Sequence, residues 1–197
     1  MNTILKKSLT PWETLSSVGE ICVFDLEGNN LMPKISILHC AVLIDMGTLQ
    51  EFRYRHDQMP AFLEKLNTYK VAIGHNIAGF DFKALFKLYG LLYSGWVFDT
   101  LVLSRLINPE RLQGHSLESW GRTLKFLKGV FGETTNWSEF SEEMLEYCAQ
   151  DVRLNAVLYL YFIKNLGWEE TMCCTRDWII ETDAKIRRHE LEVIDCG

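Results

Sequence analysis

The positions richest in chemistry are Asp25 and Glu27, in Phe24-Asp25-Leu26-Glu27-Gly28, at the end of the apolar run Ile21-Cys22-Val23-Phe24. Side chains alternate between the two faces of a strand, so Asp25 and Glu27 share one face while Phe24 and Leu26 take the other. Two like charges about 7 Å apart cost free energy unless a cation or solvent neutralises them. The pattern suits a divalent metal, although a solvated strand end uses the same residues. Carboxylates at suitable places downstream are what separate the two cases.

Two such acids are present. Asp81 follows Gly74-His75-Asn76-Ile77-Ala78-Gly79-Phe80, after a short apolar run and at the opening of a helix. In α/β sheets the carboxyl ends of the strands face the cleft, and a first-turn acid also suits the helix dipole. Asp151, in Tyr147-Cys148-Ala149-Gln150-Asp151, lies inside a long helical pattern beside Val152, Leu154, Val157 and Leu158. Tyr147 and Asp151 are four apart and share a helix face. Aspartate is a poor helix former in an interior, so this one needs a partner: Tyr147, solvent or a metal. Carboxylates near pKa 4 are weak bases toward water, whereas a divalent cation lowers the pKa of a water it holds by many units. Hard oxygen donors select Mg2+ or Mn2+.

The elements that must position these acids can be read in order. Residues 20–28, 34–45 and 48–55 form an antiparallel meander, with Ile35, Ile37, Val42 and Ile44 in its second strand and a tight turn at Met46-Gly47. Residues 60–69 read as a helix with Pro60 in its first turn and Phe62, Leu63 and Leu66 on one face. A strand at 70–75, a helix at 79–90, a strand at 96–99 and a helix at 100–107 follow, and this alternation implies parallel pairing with crossovers. Ser116 caps a helix to Leu124 with Leu117 and Trp120 on its buried side, and Ser141 opens a long one to Leu166. Residues 125–140 read as an exposed loop. The expected organisation is an amino-terminal lead over 1–19 that holds Pro11 and Trp12, a body over 20–166, and a helical tail over 167–197.

Composition sets bounds. A chain of 197 residues that is 48% apolar can bury one domain. No apolar run approaches bilayer length and Met1–Thr10 lacks a signal-peptide core, so a cytoplasmic protein with no membrane partner is expected. The six cysteines include no C-x-x-C pair, and Cys22, Cys40 and Cys148 sit among apolar residues as small hydrophobes. The net charge of −6 is concentrated in the tail, since residues 1–167 hold 18 acidic and 16 basic side chains and residues 168–197 hold 8 and 4. With four acids given to metal the body is slightly basic, which permits a nucleic-acid partner.

The order Asp25-x-Glu27, Asp81, Tyr147-x-x-x-Asp151 resembles the DEDD (DnaQ-like) 3′–5′ exonucleases of the ribonuclease H-like fold. Glu146 stands where the histidine branch would place its histidine, so the match is to the tyrosine subgroup. Phe98-Asp99-Thr100-Leu101-Val102-Leu103-Ser104-Arg105-Leu106 and His115-Ser116-Leu117-Glu118-Ser119-Trp120-Gly121 look like stretches of the proofreading domain of family A DNA polymerases, especially those of short-tailed bacteriophages. The resemblance covers roughly residues 20–165.

It implies an α/β, ribonuclease H-like fold with a five-stranded mixed sheet, three strands antiparallel and the rest parallel, flanked by helices. It also implies two divalent metal ions, Mg2+ or Mn2+. Asp25 would be shared, Glu27 and Asp151 would serve the ion that holds the attacking water, and Asp81 would act at more distance through water. Tyr147 would orient that water. Leu31 would wedge against the terminal base, with an ordinary core position as its alternative. Asn76 would contact the terminal nucleotide, and His115 would either face DNA or cap a helix. Arg122, Lys125 and Lys128 would track the strand backbone or line a solvated helix face.

The implied activity is hydrolysis of single-stranded or frayed DNA 3′ ends to nucleoside monophosphates, with proofreading beside a separate DNA polymerase as one setting, in the host cytoplasm if phage-encoded. Two other readings keep the same residues: a catalytically silent module that binds nucleic acid or a polymerase, and an RNA-trimming exonuclease similar to ribonuclease D. No polymerase segment follows residue 166, although Ile180–Asp195 faintly resembles the segment leading into one. Both an excised domain and a stand-alone exonuclease fit that pattern.

Overall fold

Residues 15–126 and 137–196 are described by the computed structural model. The expected features at Pro11, Trp12 and Lys128 lie outside the described residues.

The strand that carries Asp25 and Glu27 sits inside the sheet. β1 (Ile21–Gly28) pairs antiparallel with β2 (Leu38–Asp45), and β2 pairs antiparallel with β3 (Gln50–Arg55). On its other side β1 pairs parallel with β4 (Val71–Gly74), which pairs parallel with β5 (Trp96–Asp99). The expected meander and parallel strands are therefore both present. A sixth strand, β6 (Glu192–Asp195), adds parallel to β3 and gives the order β5-β4-β1-β2-β3-β6, one strand more than the sequence implied. Its four residues are largely exposed and carry no strong alternation. They become a strand because the edge of β3 offers unpaired backbone groups, a tertiary cause with no local signal.

Helices cover both faces. α1 (Met59–Leu66) and α2 (Asp81–Tyr89) pack on the face that holds Cys22, Phe24, Leu26 and Leu43. The opposite face, with Ile21, Val23, Val42 and Ile44, is covered by α5 (Glu142–Leu166), which is flanked by α4 (Leu117–Leu124) and α6 (Arg176–Arg187). Double coverage explains why all eight residues of β2 are buried. It also explains why α5 is buried continuously from Asp151 to Leu160, because a helix enclosed between a sheet and other helices has no solvent face there. α3 (Thr100–Ile107) follows β5 directly. The second strand begins at Leu38, later than expected, and Ile37 before it is 40% exposed.

A buried ion pair ties α5 to the sheet. Arg153 Nε and its terminal nitrogen donate to the two carboxylate oxygens of Glu51 at 2.6 and 2.9 Å, and Arg53 Nε donates to the same carboxylate at 2.8 Å. Glu51 is fully buried. Among the described residues, no helix is long and apolar enough to cross a membrane.

Candidate active site

β1 outruns its parallel neighbour. The β1–β4 pairing ends at Val23 opposite Ile73, so Asp25 to Gly28 project past the carboxyl end of β4. Alternation then turns Asp25 and Glu27 toward α5, while Phe24 and Leu26 enter the core under α1 and α2. Carboxylate oxygens of Asp25 and Glu27 and the Cys148 sulfur all lie within 4.8 Å of one another. The Cys148 thiol donates to the Asp25 carbonyl at 3.4 Å and lies 4.0 Å from Asp25 Oδ2.

The other two acids approach β1 from different sides. Asp151 is one turn beyond Cys148 on α5, four residues after Tyr147, and is 7% exposed. The Tyr147 ring meets the edge of Trp137, with centroids 6.1 Å apart at 79°. Asp81 opens α2 and is 2% exposed, and its carboxylate accepts the Leu26 amide, in the segment of β1 that β4 no longer pairs. Burial pushes the Asp81 carboxyl up to about 7; the nearby Asp99 charge adds to this, and the Leu26 amide opposes it. Asp81 Oδ1 is buried without a hydrogen-bond partner among the described residues. Asp81 and Asp151 stand outside the three-atom group of Asp25, Glu27 and Cys148. Clustered hard oxygens and a buried carboxylate oxygen lacking a donor fit a divalent cation, because a positive charge would offset both the like-charge repulsion and the desolvation.

The loop between β4 and α2 is fixed by a residue to which the sequence reading gave no role. Asp99 accepts the amides of Asn76 at 3.0 Å and Ala78 at 3.1 Å, and caps α3 by accepting Leu101 at 2.9 Å. A cap is what an Asp immediately before a helical run signals, but its reach back to residues 76 and 78 is not legible in spacing. Gly74 permits the turn: a Cβ there would stand 1.9 Å from Ile77 Cγ2 and 3.0 Å from the Phe24 carbonyl. Cys148, which sequence gave as a small hydrophobe, is buried and yet touches Asp25. The available signal was its position three residues before Asp151 on the same helix.

The remaining expected residues fall in several places. Leu31 is 74% exposed, which overturns its core reading; with Glu27, Asn29, Asn30, Phe80 and Trp137 it lines a cavity of about 430 Å³. Asn76 is exposed and holds a left-handed backbone at φ 65°. His115 Nδ1 lies 2.8 Å from Ser104 Oγ, which also accepts the Trp120 Nε1–H at 2.9 Å, so His115 helps to join α3 to α4. Arg122 is engaged by Glu118 one turn earlier, and Lys125 ends α4 with φ 54°.

No family model matches the chain. Over 180 residues it is 32% identical to the DNA-directed DNA polymerase of Escherichia phage T7, and over 179 residues 31% identical to that of Enterobacteria phage T3. Each match covers 69% of this chain and 25% of the polymerase, so the chain spans about a quarter of the length of the curated relatives it matches. Among solved structures, Brucella melitensis NrnC superposes with a TM-score of 0.56 at 20% identity, covering 87% of this chain and 89% of that one. NrnC has also been solved with bound Mg2+ and bound to pGG.

Proposed function

Starting from a chain that has the ribonuclease H-like fold of the DEDD-type 3′–5′ exonucleases and is homologous to part of two phage DNA polymerases, we propose that it hydrolyses the terminal phosphodiester at single-stranded or frayed DNA 3′ ends. The product is a nucleoside monophosphate. Two divalent ions, Mg2+ or Mn2+, would be held by Asp25, Glu27, Asp81 and Asp151. The observation that carries this reading is the gathering of the Asp25 and Glu27 carboxylates on the α5 face of β1, with the buried Asp81 carboxylate anchored on the Leu26 amide between them.

When bound, divalent cations supply a nucleophile from water at neutral pH and neutralise the charge that develops on the phosphate and the leaving oxygen. The protein's own groups do the rest. Asp25 and Glu27 are presented by a central strand whose register is set on both sides, so their separation varies little. Tyr147 donates a hydrogen bond that orients the attacking water instead of acting as a base, the role a neutral phenol hydroxyl can fill. The cavity beside Glu27, with exposed Leu31 at its rim, takes the terminal nucleotide, and Asn76 contacts it from the loop that Asp99 holds. A separate DNA polymerase is the partner if the activity serves proofreading.

A second reading, trimming of RNA or short oligonucleotides, draws on NrnC, whose length the chain nearly covers. Digestion of matched 5′-labelled DNA and RNA strands with Mg2+, Mn2+ or chelator separates the two. A metal-dependent ladder that shortens from the 3′ end faster on DNA is the expected result. Faster shortening of RNA selects the second reading. Intact strands that the protein nevertheless binds would make it a silent binding module.

A further inference from the structure

We propose that Cys148 gives this metal centre a sulfur donor, so that it takes thiophilic divalent cations of the zinc and cadmium type in competition with Mg2+. The inference rests on the metal-centre reading above and adds a ligand and a selectivity to it.

The geometry is that of one ion's reach. The Cys148 sulfur lies 4.0 Å from Asp25 Oδ2 and within 4.8 Å of a Glu27 carboxylate oxygen. Zinc binds sulfur at about 2.3 Å and carboxylate oxygen at about 2.0–2.2 Å, so at the tetrahedral angle an oxygen and a sulfur on one ion stand roughly 3.6 Å apart. The 4.0 Å between Cys148 and Asp25 Oδ2 reaches that separation by a small side-chain rotation. Two oxygens and one sulfur then supply three of four tetrahedral positions. Close by in the chain's fold, the buried Asp81 carboxylate is anchored on the amide of Leu26, the residue between the two acids, and its Oδ1 has no hydrogen-bond partner among the described residues.

The sulfur is fixed in place. Cys148 is fully buried within α5 and its thiol donates to the Asp25 carbonyl at 3.4 Å. Cys40 lies directly across the β1–β2 pair from Glu27, is fully buried, and hydrogen-bonds with the Cys148 thiol, which places a second sulfur behind the first. Mg2+ prefers oxygen and keeps several waters, so it binds the carboxylates and leaves the thiol protonated. A thiophilic cation forms a bond to the sulfur and displaces the thiol proton to solvent. Low levels of zinc would therefore displace Mg2+ from the centre.

The test uses the full metal-free chain with Cys173, Cys174 and Cys196 replaced by serine, so that the exposed and half-buried thiols cannot answer. Cd2+ is titrated while the ultraviolet sulfur-to-cadmium charge-transfer absorption is recorded. A saturable band is expected. It should vanish in Cys148→Ser and Cys148→Ala and weaken in Asp25→Asn, with Cd2+ affinity falling roughly tenfold or more. Retained Mn2+ binding, followed by electron paramagnetic resonance, shows that each Cys148 variant is folded. No band in the parent chain, or a band that survives both Cys148 variants, overturns the proposal while Mn2+ binding stands. A parent chain that binds neither Mn2+ nor Cd2+ overturns the metal-centre reading with it.

Discussion

Asp99 accepts the Asn76 amide at 3.0 Å, so the carboxylate that caps α3 also holds the loop that delivers Asp81 to the end of β4. It does so without belonging to the group of Asp25, Glu27 and Cys148. Its charge also raises the Asp81 carboxyl. Asp99→Asn should disturb the loop, because a side-chain NH2 then faces a backbone donor at Asn76 or Ala78. A rate loss of about 10–100-fold is expected, as for groups that support a metal ligand. With the charge gone, the acidic limb of the pH–rate profile should move to lower pH. A variant with full rate and an unmoved limb would show that Asp99 only caps α3.

The elevated Asp81 carboxyl makes the metal-free protein pH-sensitive. Its folded value of about 7 lies above the ordinary aspartate value of 3.8, so the native state favours the protonated form. The stability this contributes is present in full below the unfolded value and is lost as pH rises toward and through about 7. The melting temperature of the metal-free chain should therefore fall over that window by more than that of Asp81→Asn. Added Mn2+ should reverse the fall, since a cation stabilises the carboxylate. Parallel pH profiles for the two chains would contradict this.

Glu51 is the fully buried carboxylate that faces both Arg53 and Arg153 beneath α5, and the half-exposed Glu146 pairs with both from outside. Glu51→Gln leaves the two guanidinium groups without their buried counter-charge and with Glu146 alone, and a loss of about 3–5 kcal/mol is expected from urea unfolding. Combining it with Arg153→Met should recover part of that loss, because one orphaned charge is removed. A single variant as stable as the parent would mean that Glu146, which also pairs with both arginines, suffices.

Leu31 stands in solvent, so Leu31→Ala should change stability by less than about 0.5 kcal/mol. A contact with the terminal nucleotide would instead appear as a raised KM for the 3′ end, measured by steady-state digestion. Unchanged stability together with unchanged KM would remove Leu31 from the substrate site.

What the sequence made legible followed from local periodicity. The strand at 96–99 and the helix at 100–107 occur with the expected ends, because an apolar run stops at an aspartate that caps the next helix. The shared face of Asp25 and Glu27 followed from strand alternation alone. What remained hidden depends on contacts between distant segments. β6 exists because β3 has a free edge, the Cys148 sulfur meets Asp25 because α5 crosses β1, and Asp99 reaches Asn76 because β5 lies beside β4. Leu31 was ambiguous for the opposite reason, since a leucine near a strand end gives no local sign of whether a cavity or the core receives it.

In the proposed reaction the carboxylates on β1 drive hydrolysis through divalent cations. Its most direct measurement is the single-turnover rate of nucleoside monophosphate release from a 3′ end by the parent chain and by Asp25→Asn, with Mn2+ and with chelator. Release is expected only with Mn2+, with Asp25→Asn slower than the parent by at least about a hundredfold while melting at or above the parent temperature. Release by Asp25→Asn at the parental rate, or in the presence of chelator, would contradict it.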